Sequence, residues 1–124
     1  MIIPPKFYYE VQHPRLGDKA YFVIRYLTQR EAKAALVNVH GCALMTNLYI
    51  HPDHRAEGVG KELLRMLKQW QDKTETDVVF LASPYPRTST PHLDIWCLKN
   101  FYSSHGFPEI EGTAYHGRIN KMRN

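Results

Sequence analysis

The chemistry of this chain concentrates in HPDHRAEGVGKELLRMLKQW, residues His51 to Trp70. Gly58 and Gly60 stand one residue apart, three positions after Arg55, where an amphipathic helix begins. A turn of this kind presents unpaired backbone N–H groups and the positive end of the helix dipole, so its natural occupant is an anion. Glycines let the main chain approach a phosphate closely, and Arg55 can add charge from the loop. Two common phosphate motifs do not fit. A nucleoside triphosphate loop, GxxxxGK followed by Ser or Thr, puts Arg55 at its first glycine and Glu62 at its hydroxyl when aligned on Gly60 and Lys61. A dinucleotide fingerprint begun at Gly58 places Leu63 at the third glycine, and the turn follows a later strand rather than opening the chain. Spacing alone leaves a phosphate cradle and a plain tight loop both open.

The elements that must hold this turn are read from pattern. KFYYEV (Lys6 to Val11) and AYFVIRYL (Ala20 to Leu27) are rich in aromatic and β-branched residues and predict two strands, joined by HPRLGDK with Pro14 and Gly17. In EAKAALVNVHG (Glu31 to Gly41) the alanines permit a helix, but LVNVH alternates and predicts a third strand. ALMTNLYI (Ala43 to Ile50) predicts a fourth, stopped by Pro52. From Val59, apolar residues at Leu63, Leu67 and Trp70, with Leu64 and Met66 alongside, follow the helical period. VVFLA (Val78 to Ala82) is the continuous apolar run of a buried strand, which completes a right-handed βαβ unit with two parallel strands. SPYPRTSTPHL (Ser83 to Leu93) predicts a loop, and DIWCLKNFYSSHG (Asp94 to Gly106) a second helix, with Asp94 suited to its start and Gly106 to its stop. Phe107 to Met122 predicts one or two closing strands. The sum is an α+β domain with a mixed central sheet of six to seven strands around a βαβ core.

LYIHPDHRAEGVGKELL resembles the acyl-CoA-binding signature of the GNAT superfamily of N-acyltransferases, whose core Arg/Gln-x-x-Gly-x-Gly/Ala is matched by Arg55, Ala56, Glu57, Gly58, Val59 and Gly60. KNFYSSHGF, Lys99 to Phe107, resembles the aromatic-Tyr-x-x-x-Gly-Phe ending of that family's later helix. The resemblance implies a GNAT-like fold in which the amides of Ala56 through Lys61 hold the CoA diphosphate. It also implies that the pantetheine arm pairs with the strand edge at Leu48, Tyr49 and Ile50, and that Tyr102 protonates the departing thiolate. A phenol is protonated at neutral pH and can donate to sulfur, and a strand amide near the thioester can support the oxyanion. Acetyl-CoA is the implied acyl donor and an amine the implied acceptor, attacked directly without a covalent enzyme intermediate. Neither Cys42 nor Cys97 has an adjacent histidine of a nucleophile setting.

Where the family often has a glutamate on the strand before the cradle, this chain has Thr46 and Asn47. Glu10, His40, His92 and Asp94 are other base candidates, each with an ordinary structural or surface alternative, and Asp94 is also suited to a helix cap. HPRLGDK leaves no room for the family's early helices, so acceptor recognition is expected from Ser83 to Leu93, with Tyr85, Arg87 and His92. Ile95 replaces the asparagine that many relatives place seven residues before the tyrosine. These departures motivate an alternative, an inactive acyl-CoA-binding or protein-interaction module of the same fold.

Length and composition bound the rest. At 124 residues, 44% hydrophobic and 23% charged, the chain reads as one domain over 1–124. A net charge of +4, with a basic end from His116 to Asn124, is a mild bias that suits a solvated surface better than a nucleic-acid footprint. No run of about 18 apolar residues exists, and MIIPPKFYYE fits neither a membrane span nor a signal peptide, so a cytoplasmic protein is expected, with two reduced, buried thiols. His51 and His54 are the only close histidine pair and lack a paired-cysteine spacing, so no metal is expected. Monomer and homodimer both remain open, as does the identity of the amine.

Overall fold

The computed structural model describes residues 8–55, 57–82 and 95–119, with the side chains of residues 8 and 95–97 left out. Five strands run β1 (Tyr8–His13), β2 (Gly17–Tyr26), β3 (Cys42–Ile50), β4 (Asp77–Leu81) and β5 (Tyr115–Arg118). They lie side by side in that order, and among the described residues β3 with β4 is the single parallel pair. Three helices accompany them: α1 (Gln29–Ala34), α2 (Val59–Thr74) and α3 (Ile95–Ser104).

The expected six to seven strands are therefore five among the described residues, and the strand before the glycine turn is the third in chain order, not the fourth. The strand predicted over Glu31 to Gly41 is absent. Thr28-x-x-Glu31 forms a capping box that starts α1 upstream of the alternating LVNVH, and Leu36 then leaves the helix at φ 57°. A satisfied helix start outweighs a short alternation. Only one closing strand, β5, is seen among the described residues, joined by a bridge from Glu109 to His116.

The two faces of the sheet carry different cores. Ala20, Phe22, Ile24, Ala43 and Met45 pack with Val59, Leu63, Leu64 and Leu67 of α2 and with Tyr102 and Phe107. On the other face, Leu27, Cys42, Leu44 and Val79 pack with Ala32 and Ala35 around α1. Burying the α2 stripe supplies about 1.5–3 kcal/mol for each fully buried apolar side chain.

One irregularity in β3 governs the site. Val23 pairs with Asn47 and Ile24 with Met45, so Thr46 is an extra residue with no opposite number, a β-bulge. Before it the odd positions Ala43 and Met45 face α2; after it the even positions Leu48 and Ile50 do. A bulge bends its strand, and the ladder with β4 has ended just before it. The parallel pairing covers only Cys42 to Leu44 against Asp77 to Val79.

Candidate active site

The parallel ladder between β3 and β4 ends at Leu44 and Val79. On one side β3 runs on from Met45 to Ile50, past the end of its ladder with β4. Leu48, Tyr49 and Ile50 are half-buried there, with the Tyr49 ring 5.3 Å from that of Tyr21. On the other side stand Phe80 and Leu81, the last residues of β4.

A single 3-10 turn, Pro52–His54, leads from β3 toward α2. Gly58 caps α2 at φ 77°, with no side-chain hydrogen bond to the helix start. The first intrahelical bond beyond it runs from Glu62 N–H to Gly58 O at 3.2 Å, so the amides of Gly58, Val59, Gly60 and Lys61 precede the helix's own acceptors. The two glycines do different work. A Cβ on Gly58 would meet nothing within 4 Å, so its requirement is the left-handed backbone; a Cβ on Gly60 would lie 3.0 Å from Phe101 Cζ and 3.3 Å from Ile50 Cδ1. Gly60 thus seats the start of α2 against β3 and α3, a packing role that the spacing of the two glycines did not reveal.

Arg55 also braces the turn, because its Nε donates to Ile50 O at 3.0 Å and ties the loop to the end of β3. Glu57 bends back to His54, 2.9 Å from its Nδ1, and Lys61 is exposed. Ala56 lies outside the described residues, as do the loop Ser83 to Leu93 with Tyr85, Arg87 and His92, the residue Asp94, and the side chains of Ile95 and Cys97.

Tyr102 is 8% exposed and stands edge-on to Phe80 with ring centroids 4.7 Å apart. Its neighbour Phe101 is the residue that fills the space beside Gly60, so α3 touches both β4 and the start of α2. Burial pushes the phenol up to about 12, and no hydrogen bond to its oxygen is found among the described residues. Behind it His116, fully buried, donates Nδ1–H to Phe107 O at 2.8 Å and stacks on Phe80.

The base candidates are not gathered here. Glu10 lies on β1, in register through Val23 with Asn47 and so two strand spacings, about 10 Å, away. His40 is exposed before β3, at the end opposite Ile50. Thr46 and Asn47 are both exposed at the bulge.

Comparison with known proteins places this arrangement. The family model for the acetyltransferase (GNAT) domain matches residues 17–109, a span that contains the bulged strand, the glycine turn and Tyr102. A search of the curated proteins finds no match. Among solved structures, the crystal structure of the anti-CRISPR protein AcrVA5 superposes with a TM-score of 0.57 at 13% identity, covering 89% of this chain and 96% of that one. Nourseothricin acetyltransferase gives a TM-score of 0.45 at 16% identity, over 82% of this chain and 59% of that one. At such identities the likeness is one of fold. No described helix is long and apolar enough to cross a membrane.

Proposed function

The chain belongs to the GNAT acetyltransferase family, and from that premise we propose that it moves an acetyl group from acetyl-CoA to an amine acceptor by direct attack, with residues 1–124 acting as one domain. The observation that carries the reading is the end of the ladder between β3 and β4 at Leu44 and Val79, beside a helix start with no side-chain cap hydrogen bond among the described residues. Together they suit a coenzyme with a peptide-like arm and a diphosphate: a strand running past the end of its ladder, and amides ahead of the helix's own acceptors.

In this reading the amides from Gly58 to Lys61 hold the diphosphate, while the Glu57 N–H donates to His54 O at 3.4 Å within the turn. The pantetheine arm lies along Leu48, Tyr49 and Ile50, where a backbone N–H supports the oxyanion that forms when the amine attacks the thioester carbonyl. Arg55 serves by holding the turn to the strand rather than by charge alone. The C–N bond forms, the C–S bond breaks, and sulfur leaves with the electron pair. A free thiol has a pKa near 8.5, so a phenol at about 12 cannot readily surrender its proton to that thiolate; Tyr102 instead stabilises it by donating a hydrogen bond. The proton released by the amine goes to water, since Glu10 and His40 stand away from the end of β3 at Ile50.

Thiol release from acetyl-CoA over a library of amines tests the proposal, with Gly58→Asp as the control that closes the cradle. Release that depends on the amine and is lost in the variant supports transfer. Coenzyme binding with no release across the whole library replaces it by the inactive module.

A further inference from the structure

Three carboxylates stand near the start of α2, and each is met by a histidine: Asp53 by His51 at 3.7 Å, Glu57 by His54 at 2.9 Å and Glu62 by His13 at 3.4 Å. Carboxylates are unfavourable neighbours for a diphosphate. The fixed charges bordering the opening do not offset them. Among the described residues, Arg15 comes from the turn joining β1 and β2, Asp18 and Lys19 from the start of β2, Asp53, Arg55 and Glu57 from the loop after β3, and Lys61 and Glu62 from α2, four cations with four carboxylates. Just past α3, the His105 ring packs against Phe101 and is hydrogen-bonded to its carbonyl at 2.8 Å. Among the described residues the fixed charges thus cancel, and the histidines are the groups that can change the sign there.

Hydrogen bonding separates the three. His13 Nδ1 accepts the Arg15 N–H at 3.1 Å, and His51 Nδ1 accepts the Asp53 N–H at 3.1 Å. Both rings carry their single proton on Nε2, and a second proton would have to displace a backbone donor. His54 is arranged the other way round. Its Nδ1–H donates to the Glu57 carboxylate, so Nε2 can take a proton with that bond intact and strengthened. Histidine is the side chain that changes charge between about pH 5 and 8.

We propose that His54 and Glu57 form a proton-linked unit in the donor site, in which protonation of His54 neutralises Glu57 and strengthens binding of the coenzyme diphosphate. The inference rests on the reading of the α2 start as the coenzyme cradle. Glu57 then acts as a built-in penalty on donor binding that a proton lifts, and two residues of the loop tie coenzyme occupancy to pH.

The test is titration calorimetry with 3′-dephospho-coenzyme A, because its diphosphate stays ionised while the extra phosphate of the full coenzyme would itself titrate near pH 6. Between about pH 8 and 6 the dissociation constant is expected to fall about three- to tenfold, the size of one surface charge acting at several ångströms. His54→Gln should flatten that dependence to within about twofold, and Glu57→Gln should bind more tightly at the upper end. The protons taken up per molecule bound, read from the enthalpy in buffers of different ionisation heat, need no variant at all. Binding that is flat with pH, or a slope that survives His54→Gln and disappears in His13→Gln or His51→Gln, overturns the inference alone. Absence of binding at any pH sinks the coenzyme reading and this inference with it.

Discussion

Two helices of this protein begin in opposite ways. At α1 the Thr28 hydroxyl accepts from Glu31 N–H at 3.2 Å, and the Glu31 carboxylate accepts from Thr28 N–H at 3.0 Å. Arg25 grips the same carboxylate through two bonds of 2.8 and 2.7 Å. At α2 a left-handed glycine precedes the helix, and among the described residues no side-chain hydrogen bond to its first amides is found. The difference follows from length and burial. A six-residue helix is marginal by itself and needs every local bond, whereas the sixteen residues of α2 are held by Val59, Leu63, Leu64 and Leu67 and can leave their first donors for a ligand. A helix start is available for binding when tertiary packing makes its own cap dispensable.

The largest effect that would break this contrast is expected at Gly58. Gly58→Asp forces a side chain into left-handed backbone, at a cost of about 1–2 kcal/mol, and sets a carboxylate in the cradle; affinity for acetyl-CoA by calorimetry should fall about 100-fold or more. Unchanged affinity would mean that the open amides bind nothing. Tyr102→Phe separates binding from turnover: kcat should fall roughly 10- to 100-fold while the coenzyme dissociation constant holds. Because the phenol sits at about 12, the wild-type kcat/KM should climb with pH as the amine loses its proton, with no descending limb from Tyr102 below about pH 10.

At the capped start the expected effects are on stability alone. Hydrogen bonding from Arg25 holds the Glu31 carboxyl down to about 2, from an ordinary 4.5. A depressed carboxylate stabilises the fold above its unfolded pKa, and that stability is lost as pH falls from 4.5 through about 2. Glu31→Gln should therefore lose about 1–2 kcal/mol at neutral pH in denaturant melts and show less additional loss in acid, with coenzyme affinity unaltered. Thr28→Ala, removing one cap bond, should lose about 1 kcal/mol, the smallest change in the series. A clear loss of coenzyme affinity in either would show that the two starts are coupled.

What could be read beforehand depended on how many residues shared a signal. The α2 stripe repeats over four turns and was legible, as were the four strands rich in branched and aromatic residues. The start of α1 was not, because a two-residue signal, Thr28 and Glu31, competed with the alternation of LVNVH and was the stronger in fact. The bulge left a trace that went unread: the apolar positions of β3 change from odd, at Ala43 and Met45, to even, at Leu48 and Ile50. The glycine turn was found, but identical letters concealed distinct requirements, backbone at Gly58 and close packing at Gly60. The buried Gln71, whose Nε2 donates to Arg118 O at 2.8 Å, lay inside a polar run and gave no sign of joining α2 to β5.

Thr46 carries a consequence for the chain's history. If this single position were deleted, Ala43, Met45, Leu48 and Ile50 would fall into unbroken alternation on the side they now occupy, so no apolar group would be turned toward water. Straightened in the same register, β3 would gain at most Phe80 and Leu81 as new partners before β4 ends.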